Sequence, residues 1–173
     1  LKQGSEGTFS HYLLNAVFTK VPFGSVHMIN GEKDAREECS RYGTLLKEHP
    51  ADIVFMGIGE NGHVAFNDPP VADFADKEIM KKVELDEKCR RQQVNDGCFP
   101  SLDKVPAYAL TVTVPGLMRA AYQFCMVPGI RKAQAVRDTL LGPVDETCPA
   151  SILRRQENAV LYLDRESASL ITE

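Results

Sequence analysis

The feature that most limits what this chain can fold into is the apolar run "DIVFM", Asp52 to Met56, together with the way it ends. A run this short, rich in β-branched and aromatic residues, suits a strand better than a helix. Being apolar at both alternating positions, it suits a central parallel strand covered on both faces. It breaks directly into "GIGENGHVAFNDPP", Gly57 to Pro70. In open α/β sheets ligands bind beyond the carboxyl ends of the strands, so this loop stands where a site is expected.

Apolar runs alternate with amphipathic segments along the rest of the chain, the pattern of α/β architecture. "GSVHMIN" (Gly24 to Asn30) predicts a short strand, and "DAREECSRYGTLLKEH" (Asp34 to His49) a helix that Pro50 ends. Within that helix Ala35, Cys39, Tyr42, Leu45 and Leu46 recur at helical spacing and leave the charges on the other face. "MKKVEL", "AYALTVTV" (Ala107 to Val114), "YQFCMV" (Tyr122 to Val127) and "NAVLYLD" (Asn158 to Asp164) predict further strands. Helices are expected around Pro115 to Ala121, Arg131 to Leu141 and Ser151 to Arg155.

Composition excludes several classes. At 173 residues, with 43% hydrophobic and 25% charged residues, the chain suits one folded domain spanning 1–173 and not a disordered one. A net charge of -4 gives no electrostatic reason to expect nucleic acid or an anionic membrane as partner, so a bound anion has to be held locally. No apolar run reaches the length of a membrane span. The five cysteines show neither a CxxC pair nor zinc-type spacing, which predicts reduced, mostly buried thiols in a cytoplasmic protein and no metal site.

In the loop, Gly57, Gly59 and Gly62 permit unusual backbone angles and close approach of N–H groups to a substrate. His63 is the one histidine of four placed in such a loop, and it can move protons near neutral pH if a neighbour fixes its tautomer. Glu60, Asn61 and Asp68 are the local candidates for that neighbour. The glycines alone are equally consistent with a tight turn in which His63 packs on Phe66. The third glycine is followed at once by His63, a departure from the dinucleotide-binding pattern that disfavours a Rossmann cofactor.

"GIGENGHVAFNDP" resembles the glucosamine-6-phosphate deaminase (isomerase) family, whose loop typically reads GIGxDGHIAFNEP. The likeness continues in register through "VPAYALTVTVPGLMRA" and "VPGIRKAQAV" to "NAVLYLD". The related 6-phosphogluconolactonases share GxGxxGH but continue with A-S-L-F-P, so "VAFNDPP" favours the deaminase side. The resemblance implies a three-layer, doubly wound, mostly parallel α/β sheet of the sugar-phosphate isomerase/deaminase type. It implies an enzyme that opens the ring of an amino-sugar phosphate, moves a proton between C2 and C1, and releases ammonia with a ketose phosphate. No metal or redox cofactor is implied. The implied partner is a small sugar phosphate, and homo-oligomers are frequent in the family.

The resemblance assigns ring opening to His63. In the family an Asp two residues before this histidine and a Glu five residues after it orient the ring; here Asn61 and Asp68 stand at those positions. Lys132, in "VPGIRKAQ", matches the family's phosphate-binding lysine. A family arginine that also holds phosphate corresponds to Gly97 in "NDGCF", and Arg90 or Arg91 of "CRRQQ" is expected either to reach the same phosphate or to form a solvated face. These departures imply a divergent branch with altered substrate preference. The family's N-terminal phosphate loop and the Asp-Glu pair that supplies its C2 base have no match here, so the chain is expected to be the C-terminal two-thirds of a larger family domain. A lactonase-like hydrolase and a non-catalytic sugar-phosphate-binding protein are the alternatives.

Overall fold

The computed structural model describes residues 8–171. A short helix α1 (Phe9–Leu13), capped by the Thr8 side chain, runs into a π-helical turn, Leu14–Phe18. Helix α2 (Ala35–Glu48) begins at Asp34, whose Oδ1 accepts the backbone N–H groups of Arg36 at 2.9 Å and Glu37 at 3.1 Å. Its half-buried stripe is the expected one, Ala35, Cys39, Tyr42, Leu45 and Leu46, with Glu38 and Gly43 fully buried beside it.

Strands β1 (Ile53–Met56), β4 (Tyr122–Val127) and β5 (Ala159–Leu163) form a parallel sheet in the order β1-β4-β5. Strands β2 (Met80–Glu84) and β3 (Tyr108–Val112) pair with each other antiparallel. Between them lies helix α3 (Glu87–Asn95), which follows Asp86. Helix α4 (Val114–Met118) starts at Thr113, and α5 (Ala133–Leu141) follows a 3-10 turn, Ile130–Lys132. The fold is α/β with a mostly parallel sheet, as the sequence predicts.

The core lies on one face of the parallel sheet. Cys125 and Val127 of β4 meet Val114, Ala135, Val136, Ile152 and Leu153, and Ile58 and Val64 of the glycine-rich loop join them. Fully burying aliphatic side chains such as these stabilises a fold by about 1.5–3 kcal/mol each. The loop is therefore rooted in the core at Ile58 and Val64, with its polar residues between those anchors.

Three expectations are corrected. The run Ile53–Met56 is not central and not covered on both faces: among the described residues β1 is an edge strand, and Phe55 on its outer face is 69% exposed. Phe55, Phe124, Tyr122 and Tyr162 line that outer face in ring contact, so both residue parities are apolar although only one is buried. "GSVHMIN" forms no strand, and α2 bonds to its backbone instead. Glu38 accepts the Asn30 N–H at 2.7 Å, Arg41 donates to the Met28 carbonyl at 3.0 Å, and Tyr42 to the His27 carbonyl at 3.2 Å. The last predicted helix is a 3-10 helix, Pro149–Arg155.

Candidate active site

Each glycine of the loop has a different physical reason. A Cβ on Gly57 would stand 3.3 Å from the Met126 carbonyl oxygen, a tight but tolerable approach. Gly62 has φ +83° and a Cβ there would lie 2.8 Å from Cys148 Sγ, so both backbone and space demand glycine. Gly59 has no such backbone demand, yet its Cβ would meet the His63 ring at 2.2 Å. The imidazole lies flat against the Gly59 backbone, and the Gly59 N–H donates to the His63 carbonyl at 2.9 Å to close the loop.

His63 is buried, with 7% of its surface left exposed. Its Nδ1 is 2.7 Å from Asn61 Oδ1 and 2.8 Å from Asp68 Oδ1. Asn61 Oδ1 also accepts the His63 backbone N–H at 3.1 Å, which identifies that atom as the oxygen. Facing two acceptors, Nδ1 must carry the proton. In the neutral ring Nε2 then holds the free lone pair, and no hydrogen bond from the described residues engages it.

The partners of His63 are held in turn. Asn61 Nδ2 donates to Asp68 Oδ1 at 3.0 Å and to Asp86 Oδ2 at 2.9 Å. Asp68 is fully buried and its Oδ2 accepts the Asp86 N–H at 3.2 Å. Burial opposes ionisation of Asp68, but hydrogen bonds from His63 and Asn61 outweigh it and hold the carboxyl below its ordinary range. The turn that carries Asp68 back toward His63 has Ala65 at φ 51°, a left-handed conformation unusual for alanine, and is closed by Asn67 Nδ2 donating to the Val64 and Val112 carbonyls, each at 2.9 Å.

Cys89, in the first turn of α3, completes a buried group with His63 and Asp68 whose ligand atoms lie within 4.8 Å of one another. Burial, then the charges of Asp68 and Asp86, push the Cys89 thiol far above its ordinary range. Asp68 and Asn61 occupy the Nδ1 side of His63.

Lys132 stands just before α5, at a helix start with no side-chain cap, after Gly129 at φ +93°. It is half-buried, and no hydrogen bond or ion pair from the described residues holds its ammonium. Burial lowers its proton affinity, opposed by the charges of Asp96 and Glu60. A partly desolvated ammonium without a protein partner suits an anion. Lys132 is near enough to Cys89 for its charge to act on the thiol. Arg131 fastens the two parts together: it donates to Asp96 Oδ1 at 2.8 Å and lies 3.2 Å from Glu60 Oε1, while Gln92 Oε1 accepts the Glu60 N–H at 2.9 Å.

The structure does not bring Arg91 to this group. Its exposed guanidinium pairs with Glu87 one turn back at 2.5 Å, and Arg90 points instead to the carbonyls of Leu102 at 2.8 Å and Val105 at 2.9 Å. Gly97 closes α3: at φ +75° its N–H donates to the Val94 carbonyl at 3.0 Å, and the Cys98 N–H donates to the Gln93 carbonyl at 2.9 Å. This is a Schellman ending, and it accounts for glycine where the resemblance leads one to expect arginine. Asp86, Cys89 and Gln92 are not among the site residues that the sequence points to. The signal for Asp86 was its place before "EKCRRQQVN", an N-cap whose Oδ1 accepts the Cys89 N–H at 2.6 Å.

Residues 3–162 match the sequence profile described as glucosamine-6-phosphate isomerases/6-phosphogluconolactonase. The glucosamine-6-phosphate deaminase of Listeria welshimeri is 36% identical over 172 residues, covering 99% of this chain and 71% of that protein. That of Bacillus cytotoxicus is 34% identical over 174 residues, covering 100% of this chain and 64% of that one. Among solved structures, a monomeric glucosamine-6-phosphate deaminase superposes with a TM-score of 0.89 at 34% identity, covering 98% of this chain and 70% of that one. A 6-phosphogluconolactonase from Leishmania guyanensis superposes with a TM-score of 0.76 at 19% identity, covering 100% of this chain and 72% of that one, a likeness of fold.

Proposed function

The chain belongs to the family of glucosamine-6-phosphate isomerases and 6-phosphogluconolactonases, and on that premise we propose that it is an amino-sugar-phosphate deaminase/isomerase. Its reaction converts glucosamine 6-phosphate, or a close relative, and one water to a ketose 6-phosphate and ammonia. The observation that carries this reading is His63 Nδ1 held 2.7 Å from Asn61 Oδ1 and 2.8 Å from Asp68 Oδ1, with no hydrogen bond from the described residues at Nε2.

Ring opening needs one group that takes a proton from the anomeric hydroxyl and returns a proton to the ring oxygen as the C1–O bond breaks. His63 Nε2 does both in turn. Asp68 favours the imidazolium formed between the two transfers, and Asn61 holds the ring against rotation. Lys132 receives the phosphate, a role supported by its half-burial and its lack of a protein partner. Gly57, Gly59 and Gly62 shape the loop against the sugar, as expected from their places around His63. Arg91, committed to Glu87, has no part in this proposal.

All five cysteines are free, which supports a reducing compartment, the cytoplasm. No helix among the described residues is long and apolar enough to cross a membrane. A homo-oligomer remains a proposal from the resemblance; one solved relative is described as monomeric, and light scattering of the purified protein decides. The activity is tested by ammonia release from glucosamine 6-phosphate, with His63→Gln expected to abolish it. Turnover of 6-phosphogluconolactone without ammonia release from any amino-sugar phosphate would replace this reading with a lactonase.

A further inference from the structure

We propose that Asp86 is a positioning residue for His63, acting through Asn61 and Asp68. The residue caps α3 with one carboxylate oxygen and uses its other polar atoms on the site. Oδ1 accepts the Cys89 N–H at 2.6 Å, Oδ2 accepts Asn61 Nδ2 at 2.9 Å, and its own N–H donates to Asp68 Oδ2 at 3.2 Å. Both groups that face His63 Nδ1 therefore have Asp86 behind them.

The need for such a residue follows from the asparagine. An amide can turn over about its terminal torsion and exchange oxygen for nitrogen, which a carboxylate cannot do to any effect. Turned over, Asn61 would aim Nδ2 at the His63 N–H and at Nδ1, and the ring would lose one of the two acceptors that set its tautomer. Two carboxylates on the Nδ2 side, Asp68 and Asp86, hold the amide one way round. With both Nδ2 protons given and Oδ1 accepting twice, Asn61 is fully bonded in that orientation alone. The negative charge that the family pattern leads one to expect at position 61 stands one hydrogen bond further out, on Asp86. Helix α3 thereby becomes a brace: its cap holds the His63 group, Gln92 holds Glu60, and Asp96 holds Arg131 beside Lys132.

The test separates capping from positioning. Asp86→Ser keeps an oxygen for the Cys89 N–H but removes the acceptor for Asn61; Asp86→Asn keeps the cap and sets a donor against the Asn61 donor. Both are examined by 15N NMR of the His63 imidazole and by turnover. In the unmodified protein the spectrum is expected to show Nδ1 protonated and Nε2 not. In both variants a mixture of tautomers is expected, with kcat down roughly tenfold and KM within about threefold, the scale of losing a group that orients a functional side chain. Asn61→Asp combined with Asp86→Asn reverses donor and acceptor between the two residues and is expected to restore a single tautomer.

Folded variants with the original imidazole spectrum and kcat would overturn the proposal, as would failure of both capped variants to fold, which would leave Asp86 a purely structural residue. The turnover measurement rests on the deaminase activity proposed above, and the imidazole spectrum does not. A tautomer change in a protein that turns over no amino-sugar phosphate sustains the role of Asp86 and overturns that activity.

Discussion

Gly59→Ala should do more damage than its single methyl group suggests. The new Cβ would lie 2.2 Å from His63 Cε1 and 2.4 Å from both ring nitrogens. Carbon atoms in contact settle at about 3.5–4.0 Å, so the ring has to retreat by more than about 1 Å. It cannot retreat and keep its bonds, because Nδ1 sits 2.7 Å from Asn61 Oδ1 and 2.8 Å from Asp68 Oδ1. Losing a hydrogen bond to a charged group costs about 1.5–3 kcal/mol, and overpacking a buried site about 1–3 kcal/mol. Part of each is relieved by the other, which puts the expected destabilisation at about 2–5 kcal/mol, or roughly 5–15 °C in Tm for a chain of this size.

Misplacing a reacting group by about 1 Å costs on the order of 100-fold in rate, so kcat for ammonia release should fall by roughly that factor. Gly57→Ala is the control: its Cβ would stand 3.3 Å from the Met126 oxygen, and the cost should stay below about 1 kcal/mol. Neither glycine has a left-handed backbone, so the contrast isolates steric contact from conformational strain. Thermal unfolding by circular dichroism and a coupled ammonia assay read the two effects. If Gly59→Ala matches Gly57→Ala in both, the placement of the imidazole against the loop backbone is wrong.

Three further outcomes are expected. Because Asp68 is held below its ordinary range, the stability it contributes is present above the unfolded value near 3.8 and lost as pH falls through the lower folded one; urea midpoints should drop less steeply on the acid side in Asp68→Asn than in the unmodified protein. Lys132→Met should leave the urea midpoint unchanged or raise it, since no protein partner is lost, while calorimetry shows sugar-phosphate affinity down by roughly tenfold or more. Gly97→Arg should destabilise by about 1–2 kcal/mol in urea unfolding, because φ +75° suits glycine, and should not tighten phosphate binding.

Much of the fold was legible because its signals are local. The stripe Ala35, Cys39, Tyr42, Leu45 and Leu46 sits on one face of α2 as its spacing requires, and the apolar runs at β1, β4 and β5 became strands. Helix α3 escaped because "EKCRRQQVN" carries only Cys89 and Val94 as apolar residues, too few to show a period, and its capping Asp86 was the one cue. The strand "GSVHMIN" failed for a complementary reason: propensity describes a willingness to extend, and pairing depends on a neighbour that the sequence does not specify. The outer face of the sheet was misjudged because Phe55, Phe124 and Tyr162 are apolar at the exposed parity as well as the buried one.

At the site, sequence by itself determined the loop: glycines at a strand end, His63 among polar residues, and a lysine at a helix start. Those are contacts between near neighbours, set by backbone geometry and residue type. Only the tertiary structure decided what Asn61 means. Read alone, it is a lost charge beside His63; folded, it is an amide held between Asp68 and Asp86, the latter 25 residues away, with its oxygen turned to the imidazole. Hydrogen bonds take direction from three-dimensional packing, so a chain can fix which residues it has and still leave to the fold which proton His63 keeps.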